Sequence, residues 1–359
     1  MQALREAISG FRADGVAIAA WSLCAVESRR SSLGVKDRQA GNAHYPLRIA
    51  DSSGARYRLV WEDGLVSRGH LERAQLDSRA EEALRVARSA AYDDPDAARV
   101  LGPASFPEVE MHDAETARAA DGHPGRTAPR LDWIRRRIEE LGFRTWSGSF
   151  SAVEASSRVL TSAGLDVRGE STSFSWHVSV NGEIGNGYSA RRPEEEEAFE
   201  GRMERLLRTA RHLEREAGPM RGDLHPVILH PRVVEAYVLE TLLRNLSGAT
   251  VFHGEGRFRR EQFGSRRPAL REDLALRLDP LRPMRAGSYR FTSDGLPASP
   301  CTFIDRGCLV RPILDLKYAR RLGLPPTPLP SSMDALFLEG PNPLPLEAAL
   351  ERAGEGALV

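Results

Sequence analysis

Gly222-Asp-Leu-His-Pro-Val-Ile-Leu-His-Pro231, followed by Arg232-Val-Val-Glu-Ala-Tyr-Val-Leu-Glu-Thr-Leu-Leu-Arg-Asn-Leu-Ser-Gly248, is the stretch on which the fold turns. Val227, Ile228 and Leu229 form a short apolar run between prolines. Apolar residues then recur at Val233, Val234, Tyr237, Val238, Leu242 and Leu246. The change from a continuous run to a spacing of three to four predicts a buried strand feeding a buried helix. Ser247-Gly248 is expected to stop that helix.

Upstream, a proline and four glutamates at Pro193–Glu197 open a long helix. Proline suits a first turn because its missing N–H has no partner there, and carboxylates complement the N-terminal end of the helix dipole. Phe199, Met203, Leu206, Leu207, Ala210 and Leu213 give its buried stripe, so the glutamates need no metal to explain them. Thr145 to Ser189 reads as several strands and turns, with Gly182, Gly185 and Gly187 as turn residues rather than a phosphate cradle. Leu131, Ile134, Ile138 and Leu141 mark a helix ending at Gly142. Its Arg135-Arg136-Arg137 run precedes Glu139-Glu140, the pattern of an ion-paired solvated face. Prolines and glycines from Asp94 to Arg130 mark a loop with one short helix near Ala114–Ala120. Toward the N-terminus, Tyr45–Ile49 and Tyr57–Trp61 flank Asp51-Ser-Ser-Gly54, a hairpin signal. Leu76 to Ala91 has helical spacing, with Asp77 or Ser78 as its cap.

Fifty basic and fifty acidic residues among 359 leave no global field to attract nucleic acid or an anionic membrane. Cys24, Cys301 and Cys308 make no disulfide framework, which favours a reducing compartment and a cytoplasmic protein. The apolar run Gly15–Val26 is too short to span a bilayer and reads as a strand. Downstream, Thr250–His253 reads as strand, and the prolines from Pro325 to Pro345 as a loop crossing a β surface.

Several blocks in order carry a resemblance to the TldD/PmbA family of peptidase-related proteins. They are Thr161-Ser-Ala-Gly164, the strand and helix of 227–246, Glu261-Gln-Phe-Gly264, Leu278-Asp-Pro280, Gly287–Pro297, Phe303–Leu309, and Asp315 with Ala319, Leu322 and Gly323. The resemblance implies an α+β fold of antiparallel β-sheets with flanking helices. An N-terminal α/β region precedes a mostly β C-terminal domain, with regions at 1–95, 96–220 and 221–359. Family members continue with a further glycine-rich β segment, so the C-terminal domain is expected to be short.

Catalytic members carry HExxxH on this helix and add a cysteine from the far C-terminal segment to complete a zinc site. Leu239 and Arg244 stand where the two histidines are expected, and Glu240 falls on the glutamate. Leucine has no lone pair for zinc and arginine is permanently cationic, so no metal is expected on this chain. Glu240 has only Arg244, four residues on, as an ordinary helical pair, and without a metal-bound water it has nothing to deprotonate. His225 and His230 are an odd number apart in an extended run, which sends them to opposite faces. The resemblance therefore implies a non-catalytic subunit similar to the metal-less PmbA (TldE) type. It would pair with a zinc-bearing TldD-like subunit around a peptide or unfolded polypeptide substrate, away from membrane and nucleic acid. A divergent stand-alone peptidase and a degenerate fragment without activity are the alternatives.

Overall fold

The longest element is β2 (Val16–Gln39), a strand of 24 residues. It belongs to a computed structural model that describes residues 2–39, 46–72, 79–94, 100–123, 125–181, 184–216, 227–229, 233–330, 333–340, 344, 348–349, 352 and 357–358. The chain divides into two units, residues 1–215 with 282–297, and residues 216–281 with 298–359.

In the first unit β2 lies at the middle of an antiparallel sheet. Its neighbours are β1 (Arg12–Ala13), β3 (Leu47–Trp61), β4 (Leu65–Glu72), β5 (Tyr92–Asp93), β6 (Thr145–Thr161), β7 (Asp166–Val180) and β8 (Ile184–Ala190), in the order β5-β4-β3-β2-β6-β7-β8 with β1 also on β2. The strands alternate sharply. Trp146, Phe150 and Ala152 on β6, and Phe174, Trp176, Val178 and Val180 on β7, are buried. Between them stand Ser147, Ser149, Ser151, Ser173, Ser175 and Ser179, so one face of the sheet is apolar and the other is built of small polar residues.

Helices cover the apolar face. Near β3 and β4, α1 (Gln2–Gly10) and α2 (Ala80–Ser89) set Leu4, Ile8, Leu84 and Ala87 into a cluster with Leu23, Leu59 and Trp61. Near β6 and β7, α3 (Ala114–Ala120), α4 (Thr127–Leu141) and α5 (Glu196–Glu216) bury Leu131, Ile134, Ile138, Phe199, Met203 and Leu207. Phe150, Trp176 and Phe199 meet at ring-centroid distances of 5.5–6.5 Å. Glu194 of the glutamate run accepts from Trp176 Nε1 at 2.7 Å, and Glu196 from Arg130 at 2.9 Å. Two of the four glutamates thus make hydrogen bonds within the fold, and of the run only Glu194 is buried. Asp113 caps α3 through Thr116 N, and Gly142 ends α4 in the left-handed region. Arg135 pairs with Glu139, and Arg137 with Glu140 and Glu204, as the spacing predicts.

One expected turn is absent. Asp51-Ser-Ser-Gly54 runs straight through the middle of β3, and the chain reverses at Asp63-Gly64 instead, where Gly64 has φ 86°. Gly54 serves packing: a Cβ there would come within 2.6 Å of His70 Cε1. The sheet also runs across residues 95/96, where the sequence suggested a boundary: β2–β4 and β6–β8 are one hydrogen-bonded array. Asp77 and Ser78, the suggested caps, lie outside the described residues.

The second unit holds the stretch 227–248. β9 (Val227–Ile228) pairs in parallel with β14 (Ala357–Leu358). A π-helical turn, Val234–Leu239, leads into α6 (Glu240–Leu246), and α7 (Gly248–His253) follows. β10 (Ala275–Leu278), β11 (Cys301–Asp305), β12 (Cys308–Leu309) and β13 (Leu336–Glu339) form an antiparallel sheet in the order β12-β11-β10-β13. α8 (Leu316–Leu322) is capped by Asp315 and stopped by Gly323, at φ 66°. The expected strand Thr250–His253 is helical. Ser247 leaves the helix for one residue, at ψ 133°, and Gly248 N donates to Ile313 O at 2.8 Å before the helix resumes. Only glycine fits there, since a Cβ would lie 2.7 Å from Leu314 Cδ2. The block Gly287–Pro297, expected on strands of the C-terminal domain, is an irregular loop belonging to the first unit, where Phe291 packs with Cys24, Val159, Leu165 and Val167.

Candidate functional site

Two apolar sets follow one another along the helical segment from Val233 to Leu246. Leu239, Leu242, Leu243 and Leu246 recur at the i, i+3, i+4, i+7 spacing of one face. Leu239 and Leu246 are buried with Phe258, Leu276 and Phe303. Val233, Val234, Tyr237 and Val238 form the second set, and Tyr237 is 72 % exposed. Val227 and Leu229 beside β9 are exposed as well. The buried strand and buried helix expected from the apolar count are thus corrected: the sequence carries two stripes, and only the later one is core.

This rotation decides where the three positions read against the resembled HExxxH motif stand. Leu239 is 6 % exposed, inside the core. Glu240 and Arg244 are on the surface, their side chains 59 % and 77 % exposed, with Oε1 and Nη2 4.0 Å apart. Residues five apart on an α-helix project about 140° from each other. Leu239 and Arg244 accordingly point into and out of the protein, and the site brings none of the three together around a common point. Glu240 is exposed, and the ion pair it makes among the described residues is to its i+4 arginine. His225 and His230 lie outside the described residues.

Elsewhere in this unit, His253 Nε2 is 3.5 Å from Tyr318 Oη, and Phe252 packs against both rings. The Arg321 guanidinium lies 5.0 Å from the Phe252 ring centre. Sequence reading missed this cluster, because its parts come from α7, taken for strand, and from α8, 65 residues on. Cys301 is buried, and burial pushes its thiol above the ordinary range, so it is held as an uncharged thiol. Cys24 in the first unit is raised for the same leading reason. Among the described residues no three His, Cys, Asp or Glu side chains stand close enough to share a metal ion. A cleft of about 530 Å³ in the first unit is lined by Arg5, Glu6, Ser9, Arg158 and Leu160. Its Arg158 is already held by Asp166 through two bonds of 2.8 and 2.6 Å. No described helix is long and apolar enough to cross a membrane.

Comparison with known proteins agrees with the blocks read from the sequence. Residues 222–359 match the PmbA/TldA metallopeptidase C-terminal domain. Nothing among curated proteins matches the sequence. Among solved structures, the chain is similar to TldE from Thermococcus kodakarensis at a TM-score of 0.76 and 16 % identity, covering 95 % of this chain and 79 % of that one. A proposed modulator of DNA gyrase from Thermotoga maritima gives 0.74 and 16 %, covering 99 % and 80 %. Another from Bacteroides thetaiotaomicron gives 0.71 and 18 %, covering 95 % and 78 %. The resemblance to the TldD/PmbA family is borne out by the domain match, and the α+β fold by the shared architecture.

Proposed function

We propose that this chain, with its PmbA/TldA-type C-terminal region, is the non-catalytic, TldE-like subunit of a metallopeptidase complex that processes peptides. The observation that carries this reading is the state of the motif helix. A metallopeptidase-type domain has a leucine packed in its core at the first ligand position and an exposed arginine at the second. Neither side chain binds zinc, and the intervening Glu240 has no metal-bound water to activate. The zinc and the chemistry then belong to a TldD-like partner, in the cytoplasm, while this chain contributes wall and docking surface for an extended peptide. Pairing along a strand edge uses backbone groups and asks for no catalytic side chain. The test is to mix the purified chain with a TldD-like protein from the same genome and follow cleavage of short peptides. Cleavage that appears in the mixture and stays unchanged by Glu240→Ala is the expected result. Cleavage by the lone chain that Glu240→Ala abolishes would replace this reading with a stand-alone peptidase.

A further inference from the structure

The segment Arg257-Phe-Arg-Arg-Glu-Gln-Phe-Gly-Ser-Arg-Arg267 holds five arginines and one carboxylate in eleven residues of a chain whose charges otherwise balance. All five arginines are exposed. Several arginines of the first unit are neutralised by carboxylates: Arg29 by Asp51, Arg88 by Asp63, Arg130 by Glu196, Arg137 by Glu204 and Arg158 by Asp166. Here none is. Arg259 donates to the carbonyl of Gly254, Arg260 to that of Leu322 at 3.0 Å, and no ion pair to any of the five occurs among the described residues.

The segment is also held in shape. Phe258 is buried, Phe263 packs on the same core, and Gly264 N donates to Leu309 O at 2.8 Å. Gln262 Oε1 accepts from Arg259 N at 2.7 Å, closing the short turn between them. An ordered loop that displays guanidinium groups has lost part of its conformational entropy in advance, which favours capture of an anionic partner. Guanidinium forks match carboxylates in pairs. The two aromatic rings of the segment are turned inward, so it offers no platform on which bases stack. That favours carboxylates of a polypeptide over a nucleic acid.

We infer that Arg257–Arg267 is a docking surface for an acidic segment of the polypeptide substrate. As a statement about substrate class it rests on the peptide-processing reading above, yet the binding it claims is measured on this chain alone. A failure here is therefore separable from a failure of the partner reading.

The experiment measures fluorescence anisotropy of labelled twelve-residue peptides, one rich in Asp and Glu, one neutral and one basic, with the full chain at low and high salt. The variant carries Arg257→Gln, Arg266→Gln and Arg267→Gln, three exposed side chains that make no hydrogen bond or ion pair among the described residues. Arg79→Gln, Arg85→Gln and Arg118→Gln together form the charge-matched control. We expect preference for the acidic peptide, weakening with salt, and a loss of about tenfold in the triple variant but not in the control. Equal affinity for the three peptides, equal affinity of variant and control, or tighter binding of a single-stranded oligonucleotide than of the acidic peptide would overturn the inference. Circular dichroism and the melting temperature of the variant, expected unchanged, guard against reading misfolding as lost binding.

Discussion

Leu239 shows how one position reports both on history and on packing. Read against the resembled motif it falls at a ligand position, and in the fold it is a core residue beside Leu246, Phe303 and Leu336. Leu239→Ala is expected to cost about 2–4 kcal/mol, the usual range for truncating a buried leucine, measured by denaturant unfolding. Glu240→Ala should change stability by less than about 0.5 kcal/mol, since its pair with Arg244 is exposed and long. Restoring histidines is a sharper test. Leu239→His with Arg244→His is expected to lower stability without creating a zinc site, because position 239 is packed in the core while position 244 is exposed. Stoichiometric zinc in that variant, by mass spectrometry, would contradict the geometry. The identities at 239, 240 and 244 were legible in the sequence, and their burial and exposure came only with the fold. The exposure of Tyr237 was not legible either, because two apolar sets follow one another on one helical segment and only the fold shows which of them finds a partner.

At the scale of elements, α4 and α5 are joined through a buried arginine. Arg130 is 1 % exposed, lies 4.5 Å from the Phe199 ring centre, and donates to Glu196 and to the backbone carbonyl of Glu194. Glu196→Ala leaves that guanidinium with a single carbonyl. The expected cost is about 2–3 kcal/mol, below that of a fully enclosed pair because water reaches Glu196. Arg130→Met removes the charge itself and is expected to cost less, which chemical denaturation of the two variants checks. The β6–β7 turn gives a pH test. The hydrogen bonds from Arg158 hold the Asp166 carboxyl below the usual carboxylate range. Its folded value is depressed, so its contribution is complete above about pH 4 and is lost as the pH falls through the folded value. Asp166→Asn should lower the melting temperature at neutral pH and flatten its fall on acidification below about pH 4. Helices with strong period and caps, 114–120 and 127–141, were readable from local sequence. Asp51–Gly54 and Thr250–His253 were misread because tertiary packing, of His70 over Gly54 and of Ile313 and Leu314 around Gly248, overrides local turn and strand propensity.

Over the whole molecule, the chain order does not follow the two units. Residues 282–297 return from the middle of the second unit to complete the first. They supply Phe291 to the cluster of Cys24, Val159, Leu165 and Val167, and Arg290 to the carbonyl of Pro107 at 2.9 Å. A chain cut after residue 215 is therefore expected to unfold more readily than the full chain and to bind an apolar dye where Phe291 is missing. The sheet that spans β2 to β8 was likewise hidden from a linear reading. β2 pairs with β6 across more than a hundred residues, so composition shifts along the chain do not mark its edges. What the sequence carried was the family blocks and, through the resemblance they make, the α+β class.

The central claim is that zinc and catalysis belong to a partner. The most direct measurement is zinc stoichiometry of each chain after a cleaving mixture with a TldD-like protein has been formed and its subunits separated. The account predicts one zinc on the partner, none on this chain, and cleavage only when both are present. Stoichiometric zinc on this chain, with cleavage when it is alone, would contradict it.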